Sequence, residues 1–237
     1  MTVALDKKRF GPWALVTGAS SGIGKEFARQ IAASGINVVL VARRDGLLAE
    51  LGRAISQEFN VQYRALAMDL SQEGFIAGLA DATHDIDIGL VVSNAGTANP
   101  GEFLKLDRQL LQATLRLNTM SHLDIAHYFG GKLAERRRGG LILVGAMGAE
   151  NGIPCMANDG GAKAYVHSLG EALHYEFKPL AWLIHQKQNR SAECGLMTEE
   201  RLGAPSWIDK EVCTAALLTS RTVFQNGSAL SFRECVV

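Results

Sequence analysis

The sequence predicts an α/β domain built on one doubly wound, mainly parallel sheet. Three observations carry that expectation. Trp13-Ala14-Leu15-Val16 is a short apolar strand that runs into the glycine-rich turn Thr17 to Gly24 and then into a helix, whose apolar positions 23, 27, 28 and 31 have helical spacing. Apolar runs recur at residues 36–42, 61–68, 88–92 and 141–144. Helical stretches of about 10 to 15 residues separate them, as in strand–helix–strand units. At 237 residues, with 47% hydrophobic and 20% charged side chains, residues 1–237 are expected to form one domain with a sizeable core.

Composition narrows the function. Lys plus Arg and Asp plus Glu both number 24, so no long-range field favours nucleic acid or an anionic membrane. Residues 1–8 lack the apolar core of a signal peptide, and no apolar run approaches the roughly 20 residues that span a bilayer, so a cytoplasmic protein is expected. The cysteines, Cys155, Cys194, Cys213 and Cys235, have no paired metal-ligand spacing and are few for a disulfide scaffold. Histidines 84, 122, 127, 167, 174 and 185 form no metal-binding pattern either, so no metal is predicted.

The first turn points to a nucleotide. A helix starting near Gly22 leaves its first N–H groups without intrahelical partners at the positive end of the helix dipole, an arrangement that suits a pyrophosphate. Gly18, Gly22 and Gly24 remove side chains from the approach, while Ser20, Ser21 and Ile23 complete the turn. Glycines also serve plain strand-to-helix turns, but an apolar strand before and a helix after favour nucleotide binding. Gly35 closes the helix, and Ile36 to Ala42 is a second strand ending at Arg43-Arg44. An acidic residue there would bind a free ribose 2′-OH, whereas arginine accommodates a 2′-phosphate, so the cofactor expected is NADP(H).

Leu47 to Phe59 has a helical apolar face, Val61 to Met68 is a third strand followed by Asp69-Leu70, and residues 72–82 form a short helix. Ile88 to Val92 is a fourth strand ending in Ser93-Asn94-Ala95-Gly96. In parallel sheets ligands bind beyond the strands' carboxyl ends, the edge on which Thr17 to Gly24, Arg43, Asp69 and Asn94 fall. Leu104 to Phe129 is a long helical region containing Asn118, Lys132 to Gly140 a solvated basic turn, and Leu141 to Val144 the fifth strand. Ala157 to Phe177 is a helix with Asp159 and Lys163 four residues apart on one face. Leu180 to Ile184 begins like a sixth strand, but Gln186-Lys187-Gln188-Asn189-Arg190 does not suit a strand buried on both faces. Asp209 to Val223 reads as a helix with Asp209 at its N-cap, and Ser228 to Phe232 as a short last strand.

Thr17-Gly18-Ala19-Ser20-Ser21-Gly22-Ile23-Gly24, Ser93-Asn94-Ala95-Gly96, Asn118 and Lys163 together resemble the short-chain dehydrogenase/reductase family, over about residues 10–178. The resemblance implies a Rossmann-type fold and an oxidoreductase that moves hydride between a nicotinamide cofactor and a carbonyl or hydroxyl of a small-molecule substrate. It puts residues 18–24 at the pyrophosphate, Asp69 and Leu70 by the adenine, Asn94, Ala95 and Gly96 along the cofactor, and Lys163 on the nicotinamide ribose. Asn118, Asp159 and Lys163 then fall at catalytic positions, and a homodimer or homotetramer would form on the helices that carry Asn118 and Lys163.

The chain departs from that pattern where the chemistry occurs. The family's tyrosine, four residues before the lysine, exchanges a proton with the substrate oxygen, and a serine thirteen residues earlier holds the same oxygen. Here these are Asp159 and Ala146, and Ser93 stands where many members have asparagine. Tyr165 falls on another helix face and Tyr175 lies about three turns away, so neither phenol repairs the loss. Cys155, in the preceding loop, reads as a packed thiol before a proton donor. A positioned acid contributes about 10²–10⁴-fold and an oxyanion donor about 10²–10³-fold, so ordinary carbonyl reduction should be crippled. Residues 178–208 form an atypical substrate lobe, with Cys194 to Thr198 as the remnant of the family's Pro-Gly turn. Two other readings stay open: a non-redox elimination or cyclisation with Asp159 as acid or base, and a non-catalytic NADP(H)-binding sensor or partner protein.

Overall fold

The structure, a computed structural model, describes residues 5–146, 149–150, 152–177 and 183–187. Six strands, β1 (Trp13–Thr17), β2 (Asn37–Ala42), β3 (Tyr63–Ala67), β4 (Ile88–Ser93), β5 (Gly140–Val144) and β6 (Leu183–Lys187), form one sheet in the order β3-β2-β1-β4-β5-β6. Every pairing is parallel, with Leu15 opposite both Val39 and Val91. Helices α1 (Lys7–Phe10), α2 (Gly22–Ala33), α3 (Asp45–Phe59), α4 (Phe75–Asp81), α5 (Arg108–Leu115), α6 (Ser121–Arg136) and α7 (Ala157–Phe177) complete the described elements, with a 3₁₀ turn at Phe103–Lys105 and a π-turn at Arg116–Met120. This is the doubly wound Rossmann-type architecture that the strand–helix alternation predicts.

The continuous apolar runs of β1, β4 and β5 follow from helices covering both faces. Ala14, Val16, Val38, Leu40, Val92 and Ile142 point into one cluster with Phe27 and Ile31 of α2 and Leu48 and Ile55 of α3. The alternate residues Leu15, Val39, Val41, Val91, Leu141 and Leu143 point into the other, with Leu79 of α4, Ile125 and Phe129 of α6 and Val166 of α7. The central strands thus feed two cores at a period of two residues, and polar side chains are left to strand ends such as Thr17 and Ser93. Burying one such leucine or valine fully contributes about 1.5–3 kcal/mol. The outermost strand β3 is only half-buried and accordingly carries Tyr63 and Arg64.

Three expectations are corrected. The long helix over 104–129 is instead broken. Asp107 caps α5 by accepting from the N–H groups of Gln109 (2.7 Å) and Leu110 (3.0 Å), and the π-turn adds one wide coil before α6. The basic stretch 132–140 is not a solvated turn: α6 runs to Arg136, whose guanidinium donates to Asp87 Oδ2 at 2.8 Å and to the carbonyls of Arg9 and Gly11. A basic residue at the last turn of α6 thereby clamps the amino-terminal edge of the sheet. The sixth strand begins at Leu183 and continues through Gln186 and Lys187, opposite Leu143 and Val144. Among the described residues β6 pairs on one side only, and a strand in that position tolerates polar residues that a central strand does not. The helix expected at 209–223, the strand at 228–232 and the turn remnant at 194–198 lie outside the described residues. No helix among the described residues is long and apolar enough to cross a membrane, and none of their His, Cys, Asp or Glu side chains gather in groups of three or more that would hold a metal.

Candidate active site

Chain crossovers leave opposite ways from β1 and β4, so a crevice opens beyond their carboxyl ends. Thr17, the last residue of β1, joins the two strands. Its buried hydroxyl donates to Val92 O (3.3 Å) and accepts from the N–H groups of Asn94 (2.8 Å) and Ala95 (3.0 Å), while Asn94 Nδ2 donates to Thr17 O (3.0 Å). Gly18 follows at φ +66, where a Cβ would lie 2.7 Å from Asn94 Nδ2, so both the backbone angle and the contact exclude other residues. Gly22, at φ +55, opens α2, and a Cβ there would meet nothing within 4 Å. Ser21 is the N-cap of α2, yet its side chain makes no capping hydrogen bond. Arg44 instead takes the Oγ atoms of both Ser20 and Ser21 at 2.9 Å. The first turn of α2 thus takes no side-chain cap from Ser21 and has open space beside Gly22, which fits a dinucleotide's pyrophosphate.

One cleft of about 310 Å³ joins most of the residues singled out from the sequence. Gly18, Ser20, Ser21, Ile23, Arg43, Arg44, Asp69, Leu70, Asn94, Ala95 and Gly96 all line it, with Gly22 and Gly24 shaping its turn. Ala42, Met68 and Leu117 also line it and were not foreseen, being ordinary apolar residues in sequence. Burial pushes the Asp69 carboxyl up. Donation from the Ser71 N–H (3.0 Å) and hydroxyl (2.7 Å), from Gln72, and the charge of Arg43 outweigh it and hold the group below its usual value.

Asn118, Lys163 and Asp159 gather at the far end. A Cβ on Gly96 would come 3.2 Å from Asn118 Oδ1 and 3.5 Å from Lys163 Nζ, so both atoms abut the cleft's end. Asn118 sits in the π-turn and clips the backbone of Thr97, accepting from its N–H (2.9 Å) and donating to its carbonyl (2.7 Å). Lys163 Nζ donates to Val144 O at the end of β5 (2.9 Å). Burial lowers its ammonium to about 8, against the attraction of Asp159 one turn earlier on α7. Asp159 is 6% exposed; its Oδ2 accepts from Asn99 N (3.1 Å), and its buried Oδ1 has no hydrogen-bond partner among the described residues. Asn99 is held in turn by Thr114 Oγ1 (2.8 Å). Beneath the loop, His122 is wholly buried and its Nδ1 lies 2.7 Å from Ser93 Oγ. Burial and then the Lys163 charge keep this imidazole well below its ordinary value, opposed by the Ala95 backbone. The buried Ser93 hydroxyl thus has a partner of its own.

No tyrosine among the described residues is placed beside Lys163 by a hydrogen bond. Tyr165 and Tyr175 are 39% and 69% exposed on α7. Cys155 is not the packed thiol expected: it is exposed at φ +62, with its carbonyl accepting from Gly101 N (2.8 Å). The sequence places Thr17 on this edge without its role in lacing the two strands, and it does not mark Asn99 at all. The signal for Thr17 is a hydroxyl at a strand end directly before the first glycine, and Asn99 has none.

Comparison with known proteins agrees with this geometry. A 7beta-hydroxysteroid dehydrogenase of Clostridium sardiniense is 33% identical over 170 residues, which cover 72% of this chain and 65% of the relative. A very-long-chain 3-oxoacyl-CoA reductase of Meyerozyma guilliermondii is 34% identical over 180 residues, covering 71% and 53%. The chain therefore spans between half and two thirds of the length of these curated relatives. Among solved structures, a short-chain dehydrogenase from Sphingobium yanoikuyae in complex with NADPH matches with a TM-score of 0.69 at 29% identity, over 73% of this chain and 68% of that one. The family model described as short chain dehydrogenase matches residues 12–183, from the residue before β1 to the first residue of β6, and by that match the chain belongs to the short-chain dehydrogenase family.

Proposed function

We propose that this protein binds NADP(H) and is of oxidoreductase lineage for carbonyl or hydroxyl small molecules, with its proton relay replaced by Ala146 and Asp159 and its chemistry altered accordingly. The observation that carries the cofactor reading is the arginine pair at the end of β2. Arg44 grips Ser20 and Ser21 at the mouth of α2, and Arg43 stands beside Asp69 with no acidic residue at the strand end to take a free 2′-OH. The NADPH complex of a similar dehydrogenase supports the same choice. When bound, the cofactor supplies or accepts hydride. The chain's own residues hold the pyrophosphate at Gly18 to Gly24, the 2′-phosphate at Arg43 and Arg44, the adenine by Asp69 and Leu70, and the middle of the cofactor along Asn94, Ala95 and Gly96. Lys163 holds the ribose at the reacting end, and Asn118 positions the loop at Thr97 that closes it. Neither Ala146 nor Asp159 replaces the hydroxyls that would grip and protonate a substrate oxygen, so reduction of simple ketones should be at least 10²-fold weaker than with the relay restored.

Titration calorimetry with NADP⁺ and NAD⁺ tests the cofactor reading. NADP⁺ should bind at least about tenfold more tightly, and Arg43→Ala should erase about tenfold, or ~1.4 kcal/mol, of that preference. Equal affinities in the unmodified protein would overturn it. The unpartnered Oδ1 of Asp159 also favours a second reading, an acid or base in a non-redox step, which a product assay separates because only redox chemistry consumes NADPH stoichiometrically. Tight cofactor binding with no turnover in either assay would mark a sensor or partner protein. We further propose that the protein works in the cytoplasm as a homodimer or homotetramer. The exposed apolar residues Leu110 and Leu115 of α5, Met120 of the π-turn and Tyr165 of α7 support that assembly, and sedimentation measures it.

A further inference from the structure

Where α7 packs against the loop at Asn99, the described hydrogen bonds leave one strong acceptor unused. Asp159 Oδ2 takes the Asn99 N–H at 3.1 Å, but its Oδ1 is buried with no hydrogen-bond partner among the described residues. Lys163, the cation on the same face of α7, donates its described hydrogen bond to Val144 O at 2.9 Å. Ala146, at the end of β5, contributes no hydroxyl. An unpaired buried acceptor costs free energy, and more when charged, so a ligand that brings a donor to this oxygen recovers it. A ketone brings only lone pairs at its reacting atom and would face a carboxylate with like charge density. A protonated nitrogen brings both a donor and a positive charge.

We propose that this site takes an iminium ion in place of a ketone, and the corresponding amine in place of an alcohol, with the substrate N–H donated to Asp159 Oδ1. The inference rests on the NADP(H) reading above. The step balances without a relay. Hydride from NADPH adds to the iminium carbon, the C=N π pair becomes the nitrogen lone pair, NADPH is oxidised to NADP⁺, and the neutral amine takes its proton from water after release. A ketone would instead become an alkoxide that needs a proton during the step, which is the service lost with the family's serine and tyrosine. The two substitutions that disable carbonyl reduction are therefore the ones that an iminium substrate tolerates.

The test begins with NADP⁺ binding by calorimetry, then titrates 2-phenylpiperidine and its carbon-matched ketone, 1-phenylpentan-1-one, into each protein at saturating NADP⁺. The amine should bind at least about tenfold more tightly than the ketone, and Asp159→Asn should lose at least about tenfold of amine binding while leaving the ketone little changed, each tenfold being ~1.4 kcal/mol. With NADPH, the cyclic imine of the same skeleton should be reduced in preference to the ketone. Cofactor binding without an amine preference, or an amine preference that survives Asp159→Asn, would overturn this inference alone. Failure to bind NADP⁺ would overturn it together with the cofactor reading.

Discussion

At the β1–β2–β4 end of the cleft, the arrangement rests on backbone and glycine: Gly18 has no room for a Cβ, Gly22 has a positive φ, and Thr17 laces the two strands with its hydroxyl. At the β5–α7 end, Asn118 clips Thr97 and Lys163 donates to Val144 O, while on the proposed reading Ala146 and Asp159 stand in place of the two hydroxyls that would touch substrate. The difference shows which parts of such a site can change without breaking the fold. A side chain larger than hydrogen at Gly18 would clash with Asn94, whereas serine to alanine or tyrosine to aspartate at the other end removes atoms and leaves the helix and sheet in place. Chemistry can therefore drift at one end of the cleft while the geometry of the other stays.

The largest test of that contrast is to rebuild the changed end. Ala146→Ser with Asp159→Tyr should raise NADPH-dependent reduction of small ketones, quinones or aldehydes by about 10²–10⁴-fold, and either single change should do less because the two groups act as a unit. Lys163→Ala in that background should abolish the gain, and the double variant should lose the preference for amines. A folded, cofactor-bound double variant with no gain on any carbonyl would show that the two ends are not separable in this way.

The buried lysine sharpens the comparison through pH. Burial, only partly opposed by Asp159, holds Lys163 at about 8 against an ordinary 10.5. The unfolded chain then binds more protons between those two values, so stability rises with pH through that window, and the penalty is present in full below about 8. Relative to Lys163→Met, the native protein should gain on the order of 3 kcal/mol between about pH 7 and about pH 11, read from urea unfolding. A flat difference would mean that Lys163 titrates alike in the folded and unfolded chains.

The smallest expected effect concerns the cofactor's own charge. An ionised Asp159 beside the reacting end should favour the positively charged oxidised nicotinamide over the neutral reduced one. Asp159→Asn should therefore lower the NADP⁺:NADPH affinity ratio several-fold, on the order of 1 kcal/mol, at neutral pH. An unchanged ratio would separate Asp159 from the nicotinamide.

What the amino-acid sequence determined by itself was local in origin. Apolar runs at residues 13–16, 36–42, 88–92 and 141–144 announce strands covered on both faces, and Ala157 to Phe177 is a helix with the bounds that its periodicity predicts. The glycine turn announces the edge of the sheet where a cleft opens, because strand, turn and helix are contiguous in the chain. Tertiary structure alone decided what depends on segments distant in sequence. It puts Thr17 against Asn94, Asn118 against Thr97, Asn99 against Asp159 and Arg136 against Asp87, and it makes the polar stretch at Gln186 a strand by giving it β5 to pair with. None of these partners is marked by periodicity or spacing, since a hydrogen bond between remote side chains leaves no pattern in the residues around either one. The oxygen of Asp159 that has no partner among the described residues is of the same kind: residue type gives a carboxyl one turn before Lys163, but only the packing of α7 against the loop at Asn99 decides that one of its oxygens is satisfied and the other is not.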